Sequence, residues 1–345
     1  MSNSSETLDY GSLNYRNVER IRLGNFEFDT WFGNSVLFIQ TEPETLGYQL
    51  LEKRTKPSVS TKKFNQLNQL QQPWIKMLHF CQACFKYTTE CDEMFRHYSY
   101  CSFRRNLPGQ VMYQDDTCTI RRVSGRKHKL FCQCLSILAK FFLDNKSVFF
   151  NVEYYDYFVI YQTLDGVPTP MGFYSRELLS WDQNNLSCIL VIPCYQKQRL
   201  GSKLIEFSYY LSNHEQIVSG PERPLSPFGK LSYLSYWTKS LSREFLYGKL
   251  STNTHVTLEL ISQKTGFRSE DILLSLDHMQ SLFEYGTKSP YTDYYSGRRY
   301  NDRQYVFLEE VNYKLFIDRT KIKKWVIQNE IVAGTNLDPA CLILD

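Results

Sequence analysis

No run of 18 or more apolar residues occurs in the 345-residue chain, so a transmembrane helix is not expected. The opening stretch, Met1 to Gly11, is polar and lacks the apolar core of a secretory signal, which argues against export. No charge of one sign dominates: 40 Lys and Arg against 36 Asp and Glu leave +4, too little to announce a nucleic-acid binder by itself. Nor is there an internal repeat. What the chain has is 10 Cys, 25 Tyr and 23 Phe. Without a secretory address, those cysteines are expected to be reduced thiols or metal ligands and not disulfides. A hydrophobic share of 42% against 22% charged allows a sizeable core, and the length suits one large domain or two ordinary ones.

Residues 1–18 are Ser/Asn-rich and read as a loose tail. From Val18 to Ile39, Ile21, Leu23, Phe26, Phe28, Trp31 and Phe32 alternate around Gly24 and Gly33, as in short strands joined by turns. Glu52 to Gln72 is poor in apolar residues and reads as a surface insertion or mobile linker ending at Pro73. Cys132 to Leu143 predicts a buried helix, and Val148 to Gln162 and Met171 to Tyr174 predict strands. Leu186 to Ile192 is a continuous apolar run, as a central strand would be, and Pro193 stops it. Leu204, Ile205, Phe207 and Leu211 recur at helical spacing beyond Leu200, and Leu231 to Tyr247 gives a further helix. Two helices, Thr257 to Thr265 and Ser269 to Phe283, are expected to join at Gly266 with Ser269 as N-cap. A strand near Tyr305 to Leu308 and a helix from Thr320 to Gln328 follow.

Cys81, Cys84, His97 and Cys101 form C-x2-C-x12-H-x3-C. Ligands separated by two residues fit a tight knuckle, and a His three or four residues from its partner fits one helix face, so the set can close a tetrahedron around Zn2+. Phe85 and Phe95 lie where the small core of such a finger would need them. Four protein ligands leave no open position, so this zinc is expected to be structural. The stretch between Cys84 and His97 mixes Lys86 and Arg96 with Glu90, Asp92 and Glu93, which is not a base-reading surface.

Asn185 to Leu211 reads as a buried strand, a short turn and a helix, an arrangement that offers free backbone N–H groups and a positive dipole end to an anion such as a pyrophosphate. A single Gly201 in that turn is a weak signal alone. Five stretches in order sharpen it: I-R-L-G-N-F-E-F-D-T-W-F from Ile21, L-H-F-C-Q-A-C-F-K-Y from Leu78, L-F-C-Q-C-L-S-I-L-A-K-F-F-L-D-N-K from Leu130, N-L-S-C-I-L-V-I-P from Asn185, and S-G-P-E-R-P-L-S-P-F-G-K-L-S-Y from Ser219. With these, the chain resembles the MYST family of histone lysine acetyltransferases. The strings L-D-N-K-S and S-G-P-E-R-P-L-S-P-F-G, with the short N-terminus, are most similar to its silencing members.

The resemblance implies an α+β fold with a GNAT-like acetyl-CoA-binding core at 104–247. It would be preceded by the tail at 1–18, a β region at 19–76 with an insertion at about 52–73, and a C2HC zinc finger at 77–103. A C-terminal helical, winged-helix-like region would occupy 248–345. A lysine ammonium, with pKa about 10.4, is not nucleophilic at neutral pH, so acetyl transfer needs a positioned base. By family position that base is Glu222, between Pro221 and Arg223-Pro224. Cys188 falls on the family's active-site cysteine, either as an acetyl-cysteine intermediate or as a lining residue for direct attack. Backbone amides from Ile189 to Val191 would face the acetyl carbonyl. Lys197, Gln198, Arg199, Leu200, Gly201 and Ser202 would wrap the pyrophosphate, and Pro221, Ser226 and Ser235 would also contact cofactor. Lys146 falls on the family's autoacetylated lysine. The pattern departs at Arg199, which stands at the first glycine of the family's loop, and at Cys194, which replaces a second proline.

The expected function is therefore acetyl transfer from acetyl-CoA to a histone tail in chromatin of the nucleus. By resemblance the target is the sixteenth-position lysine of histone H4, with two accessory subunits as partners and a role in silencing. The other readings weighed are a non-catalytic scaffold with a loop spoiled by Arg199, a DNA-binding module using the finger and the winged-helix-like piece, and a Cys/His hydrolase on Cys188. Basic clusters at Arg121, Arg122, Arg126, Lys127 and Lys129, and at Lys321, Lys323 and Lys324, read as solvated faces or as non-specific contacts to nucleosomal DNA. No membrane partner is expected.

Overall fold

Strand β1 (Val18–Leu23) buries Val18, Ile21 and Leu23. It turns at Gly24, whose positive φ of 59° suits glycine, into β2 (Phe26–Asp29). The computed structural model describes residues 16–34, 75–143, 150–284, 304–309, 314–331 and 334–344. The insertion expected at about 52–73 lies outside them. β1 pairs in parallel with β3 (Ile75–Phe80), and β4 (Tyr87–Thr88) completes a sheet in the order β2-β1-β3-β4.

The chain divides into two compact units, Met1–Leu178 with Cys188–Gln198 and Leu179–Ser187 with Arg199–Asp345. In the first, a second sheet runs β10-β8-β7-β6-β5, with every described pair antiparallel. Its strands are β5 (Gln110–Gln114), β6 (Thr119–Ser124), β7 (Tyr155–Leu164), β8 (Val167–Glu177) and β10 (Cys188–Val191). The β7–β8 hairpin turns on Asp165 and Gly166, both at positive φ, the residue pair that a two-residue hairpin favours. Helix α1 (Cys91–Tyr100) carries the finger. Helix α2 (Lys129–Lys140) is the expected buried helix: Phe131, Leu135, Leu138 and Ala139 are all buried. The carbonyl of Phe141 just beyond it accepts from the amides of both Trp31 and Phe32 at 3.0 Å.

The second unit holds a two-stranded pair, β9 (Asn184–Leu186) with β11 (Gly220–Pro221). Its helices are α3 (Leu200–His214), α4 (Pro227–Leu246), α5 (Leu258–Thr265), α6 (Ser269–His278) and α7 (Arg319–Gln328). α4 centres them: its Trp237 is fully buried and donates Nε1–H to the Tyr209 hydroxyl of α3 at 2.7 Å. A sheet in the order β12-β14-β15-β13, from His255–Val256, Tyr305–Glu309, Lys314–Asp318 and Leu282–Glu284, accompanies the C-terminal helices.

Three expectations need correction. Leu186 to Ile192 is not one central strand: it breaks at Ser187, with β9 in one sheet and β10 at the edge of another. An apolar run specifies burial but not which neighbours it pairs with. The second C-terminal helix ends at His278, and Leu282 to Glu284 is already strand. Ser269 is its first helical residue; the N-cap is Arg268, without a side-chain cap bond.

Candidate active site

The four expected metal ligands come together. Their donor atoms all lie within 4.8 Å of one another, with Cys81 Sγ to Cys101 Sγ at 3.8 Å and Cys84 Sγ to His97 Nε2 at 3.2 Å. Zn–S bonds of about 2.3 Å at tetrahedral angles span an S–S edge of about 3.8 Å, so the cluster is compatible with zinc. Cys81 and Cys84 share a hydrogen bond that lowers the Cys81 thiol and raises that of Cys84. His97 lies in the last turn of α1 and Cys101 is its C-cap, as the helix-face argument required. Phe85 is fully buried and packs on Phe131, ring centroids 5.5 Å apart. Phe95 does not join it: the ring is 76% exposed on the outer face of α1, which contradicts its expected core role. None of the ten cysteines is in a disulfide.

Cys188 opens β10 and is half-buried. Ile192 donates its amide to Met171 of the neighbouring β8 chain at 3.0 Å. Hydrogen-bonding direction alternates along an antiparallel strand, so the amides of Cys188 and Leu190 also face β8, whereas those of Ile189 and Val191 point out of the sheet edge. The Val191 carbonyl, on that outer side, accepts from Gln196 Nε2 at 3.0 Å. The strand thus presents donors at the two positions the sequence singled out.

Beyond Pro193–Tyr195, Lys197 and Arg199 both take left-handed backbone, at φ 65° and 59°. Arg199 is the N-cap of α3 and makes no side-chain cap bond, so the amides of Leu200, Gly201 and Ser202 lack intrahelical acceptors. Arg199, which by the resemblance stands at the first glycine of the loop, has a glycine-type conformation, at a cost of about 1 kcal/mol. Free amides at the start of a 15-residue helix, with Lys197, Arg199 and Lys203 nearby in sequence, suit a polyanion such as the pyrophosphate of acetyl-CoA. Cys194 is half-buried within the turn, and burial pushes its thiol up to about 11.

Glu222 follows β11 and is exposed, its amide bonded to the Leu186 carbonyl of β9 at 2.8 Å. Pro221 is buried beside it. Ser226 is the N-cap of α4, accepting from the Gly229 amide at 3.1 Å, and Ser235 is exposed on the same helix. Lys146 lies outside the described residues.

Sequence reasoning missed the residues that hold the Glu222 turn. Arg223 pairs with Asp271 of α6, whose side chain is 0% exposed. Arg268 donates to the Asp182 carbonyl at 2.6 Å, to Asn184 Oδ1 at 2.8 Å and to the Pro221 carbonyl at 3.4 Å. Burial pushes the Asp271 carboxyl up to about 6, against the opposing pull of Arg223. Asp271, being buried, is not a surface charge of the winged-helix-like piece, and the half-buried Arg268 is engaged with the turn.

A cavity of about 610 Å3 lies in the first unit, lined by Arg122, Arg126, Lys127 and His128 with Asp156; none of the expected catalytic or cofactor residues lines it. Arg121, from the same basic cluster, is spent on the Pro108 and Gly109 carbonyls at 2.9 and 2.5 Å. Among the described residues no helix is long and apolar enough to cross a membrane.

A finger compatible with zinc, an edge strand with outward amides and a helix start preceded by left-handed residues agree with comparison to known proteins. The chain belongs to the MOZ/SAS family, matching its model over residues 106–320, and is a protein acetyltransferase. Histone acetyltransferase SAS2 of Saccharomyces cerevisiae is 44% identical over 276 residues, 80% of this chain and 78% of that protein. The Histone acetyltransferase Tip60 homolog of Caenorhabditis elegans is 35% identical over 209 residues, 60% of this chain and 45% of its own length. Histone acetyltransferase MOF of Drosophila melanogaster is 30% identical over 265 residues, 77% of this chain and 28% of its own length.

Proposed function

We propose that the chain transfers acetyl from acetyl-CoA to a lysine of a histone tail, the sixteenth-position lysine of histone H4, and that it acts on nuclear chromatin in silencing with two accessory subunits. The reading is supported by the 44% identity to a histone acetyltransferase and by the likeness of L-D-N-K-S and S-G-P-E-R-P-L-S-P-F-G to silencing members of the family. The single observation that carries the chemistry is the edge of β10, where the outward amides of Ile189 and Val191 flank the strand that begins at Cys188.

Acetyl-CoA supplies an activated thioester carbonyl. Lys197 to Ser202 would hold its pyrophosphate, through the first-turn amides of α3 and the cations of the turn. Ser226 and Ser235 are further cofactor contacts by family position, with Ser226 also engaged in capping α4. Glu222 would accept the proton of the substrate ammonium, freeing the amine to attack the carbonyl carbon. Glu222 is exposed, so the bound tail would have to cover it and exclude water from the proton transfer. Ile189 and Val191 would donate to the oxyanion as the C–S bond breaks and the thiolate leaves. Cys188 lines this strand, as a lining group or as a transient acyl acceptor. Cys81, Cys84, His97 and Cys101 would hold a structural zinc, all four positions being filled by protein.

The test is acetyl transfer to a histone H4 peptide by the purified chain, alone and with nuclear partners, comparing wild type with Glu222→Gln. Loss of transfer with retained acetyl-CoA binding supports Glu222 as the base, and equal labelling by both proteins removes it. No labelling even with partners, together with no acetyl-CoA binding by calorimetry, would replace the enzyme by a scaffold.

A further inference from the structure

Glu222 is exposed, so packing of its own side chain does not orient it. The backbone on either side is held instead. Upstream, the Ser219 amide donates to the Gly266 carbonyl at 3.0 Å, and β11 pairs with β9 through Gly220 and Pro221. The Glu222 amide itself is tied to Leu186. Downstream, Arg223 is drawn onto Asp271, the third residue of α6, where the helix dipole favours a carboxylate. Asp271 fits against the turn so closely that a Cβ on Gly220 would lie 2.9 Å from its Oδ2 and 3.3 Å from Arg268 Cδ. A side chain two residues before Glu222 would therefore crowd the buried carboxylate and the Arg268 side chain that pack on the backbone there. Burying a carboxylate this fully costs stability unless it is well paired, and here the partner is a residue next to the base.

We propose that Asp271 is a positioning residue for Glu222: its buried carboxylate holds Arg223 and so fixes the turn that presents the base to the substrate amine. The inference rests on the reading of Glu222 as the base. It assigns to α6 of the C-terminal region a part in the chemistry, through Arg223 and not through contact with substrate.

The experiment measures steady-state transfer to the H4 peptide under conditions where the wild-type chain is active. The variants are Asp271→Asn, Arg223→Lys, Arg223→Gln, Glu222→Gln and the Glu222→Gln/Asp271→Asn double variant, with thermal melting and acetyl-CoA KM measured in parallel. Asp271→Asn and Arg223→Gln should lower kcat about 10- to 100-fold, the scale of a misplaced reacting group, with acetyl-CoA KM within about twofold of wild type. Arg223→Lys, which keeps the cation, should recover most of the rate. In the Glu222→Gln background Asp271→Asn should change the residual rate less than about twofold, because there is no base left to misplace. A merely structural Asp271 predicts equal losses in both backgrounds, and that result overturns the proposal. If Asp271→Asn does not fold, Arg223→Gln decides, since Arg223 is 40% exposed, and an unchanged kcat there also overturns it. A wild-type rate in Glu222→Gln would remove the base reading and this one with it. A slow Glu222→Gln beside an unaffected Asp271→Asn removes only this one.

Discussion

Gly172 of β8 lies against Leu190 of β10 so closely that a Cβ on Gly172 would sit 2.6 Å from the Leu190 carbonyl oxygen and 3.0 Å from Val191 Cα. Both obstacles are backbone, so no side chain can swing away to make room. The glycine sets how near the edge strand sits to its sheet, and through that the position of the Ile189 and Val191 amides. Gly172→Ala must push β10 outward by a few tenths of an ångström or more. Overpacking of this kind costs about 1–3 kcal/mol. The sharper expected outcome is kinetic: with these amides as the proposed oxyanion donors, kcat should fall at least about tenfold. Parallel melting and rate measurements check this, and a variant that loses stability but keeps kcat would detach the β10 amides from catalysis.

Arg199 and the loop proposed to hold the cofactor give a second prediction. Because Arg199 already holds φ 59°, replacing it separates backbone from side chain. Arg199→Ala keeps the left-handed cost and removes only the guanidinium. If the exposed guanidinium meets a phosphate, its contribution should be about 1 kcal/mol, so acetyl-CoA should bind about fivefold more weakly to Arg199→Ala, with the difference shrinking at high salt. Arg199→Gly relieves about 1 kcal/mol of strain but returns much of it as chain entropy, so its melting point should lie close to wild type. Calorimetric titration at two salt concentrations checks the first part. An affinity unchanged in Arg199→Ala would show that the arginine only tolerates the glycine's conformation.

Metal removal should act on stability and not on the chemical step. Chelation, or His97→Ala, leaves three thiols packed within 4.8 Å of one another around an empty centre, beside Phe85 and its partner Phe131. The expected loss is on the order of several kcal/mol, since metal binding of this type is folding free energy. Elemental analysis should find one zinc per chain. Activity should vanish in step with unfolding, and loss of activity in a chelated protein that still melts at the wild-type temperature would instead make the metal catalytic.

Part of this architecture was legible because it is local in sequence. The finger could be read because its ligands repeat at fixed short spacings that one knuckle and one helix impose, and the α3 start because a strand, a turn and an apolar period follow one another within thirty residues. The edge position of β10 could not be read: Leu186 to Ile192 is apolar but for Ser187, and one serine does not show that the chain pairs with β11 on one side of it and β8 on the other. Phe95 misled for a similar reason, since its place between the ligands was suitable but the helix turned it to solvent. The Arg223–Asp271 pair joins residues 48 positions apart, with no periodicity to link them. In sequence, Asp271 looked like an ordinary acidic residue in the first turn of a helix, and only burial gives it another meaning.

That burial has a pH signature. Burial raises the Asp271 carboxyl from 3.8 to about 6, with Glu270 adding to the rise and Arg223 and Arg268 opposing it. A folded-state pKa above the unfolded value means that between about pH 4 and pH 6 the folded chain holds a proton there that the unfolded chain has released. Stability contributed at this position is therefore greatest below pH 4, is lost as pH rises through 6, and is level above. At 1.36 kcal/mol per pH unit the change amounts to roughly 3 kcal/mol. Asparagine cannot titrate, so the stability of wild type minus that of Asp271→Asn should decline by this order between pH 4 and pH 7, while the many other titrating groups cancel in the difference. Chemical denaturation of both proteins across that range measures it. A difference that stays flat would place the Asp271 pKa near its ordinary value, and one that rises with pH would mean that Arg223 more than offsets the burial.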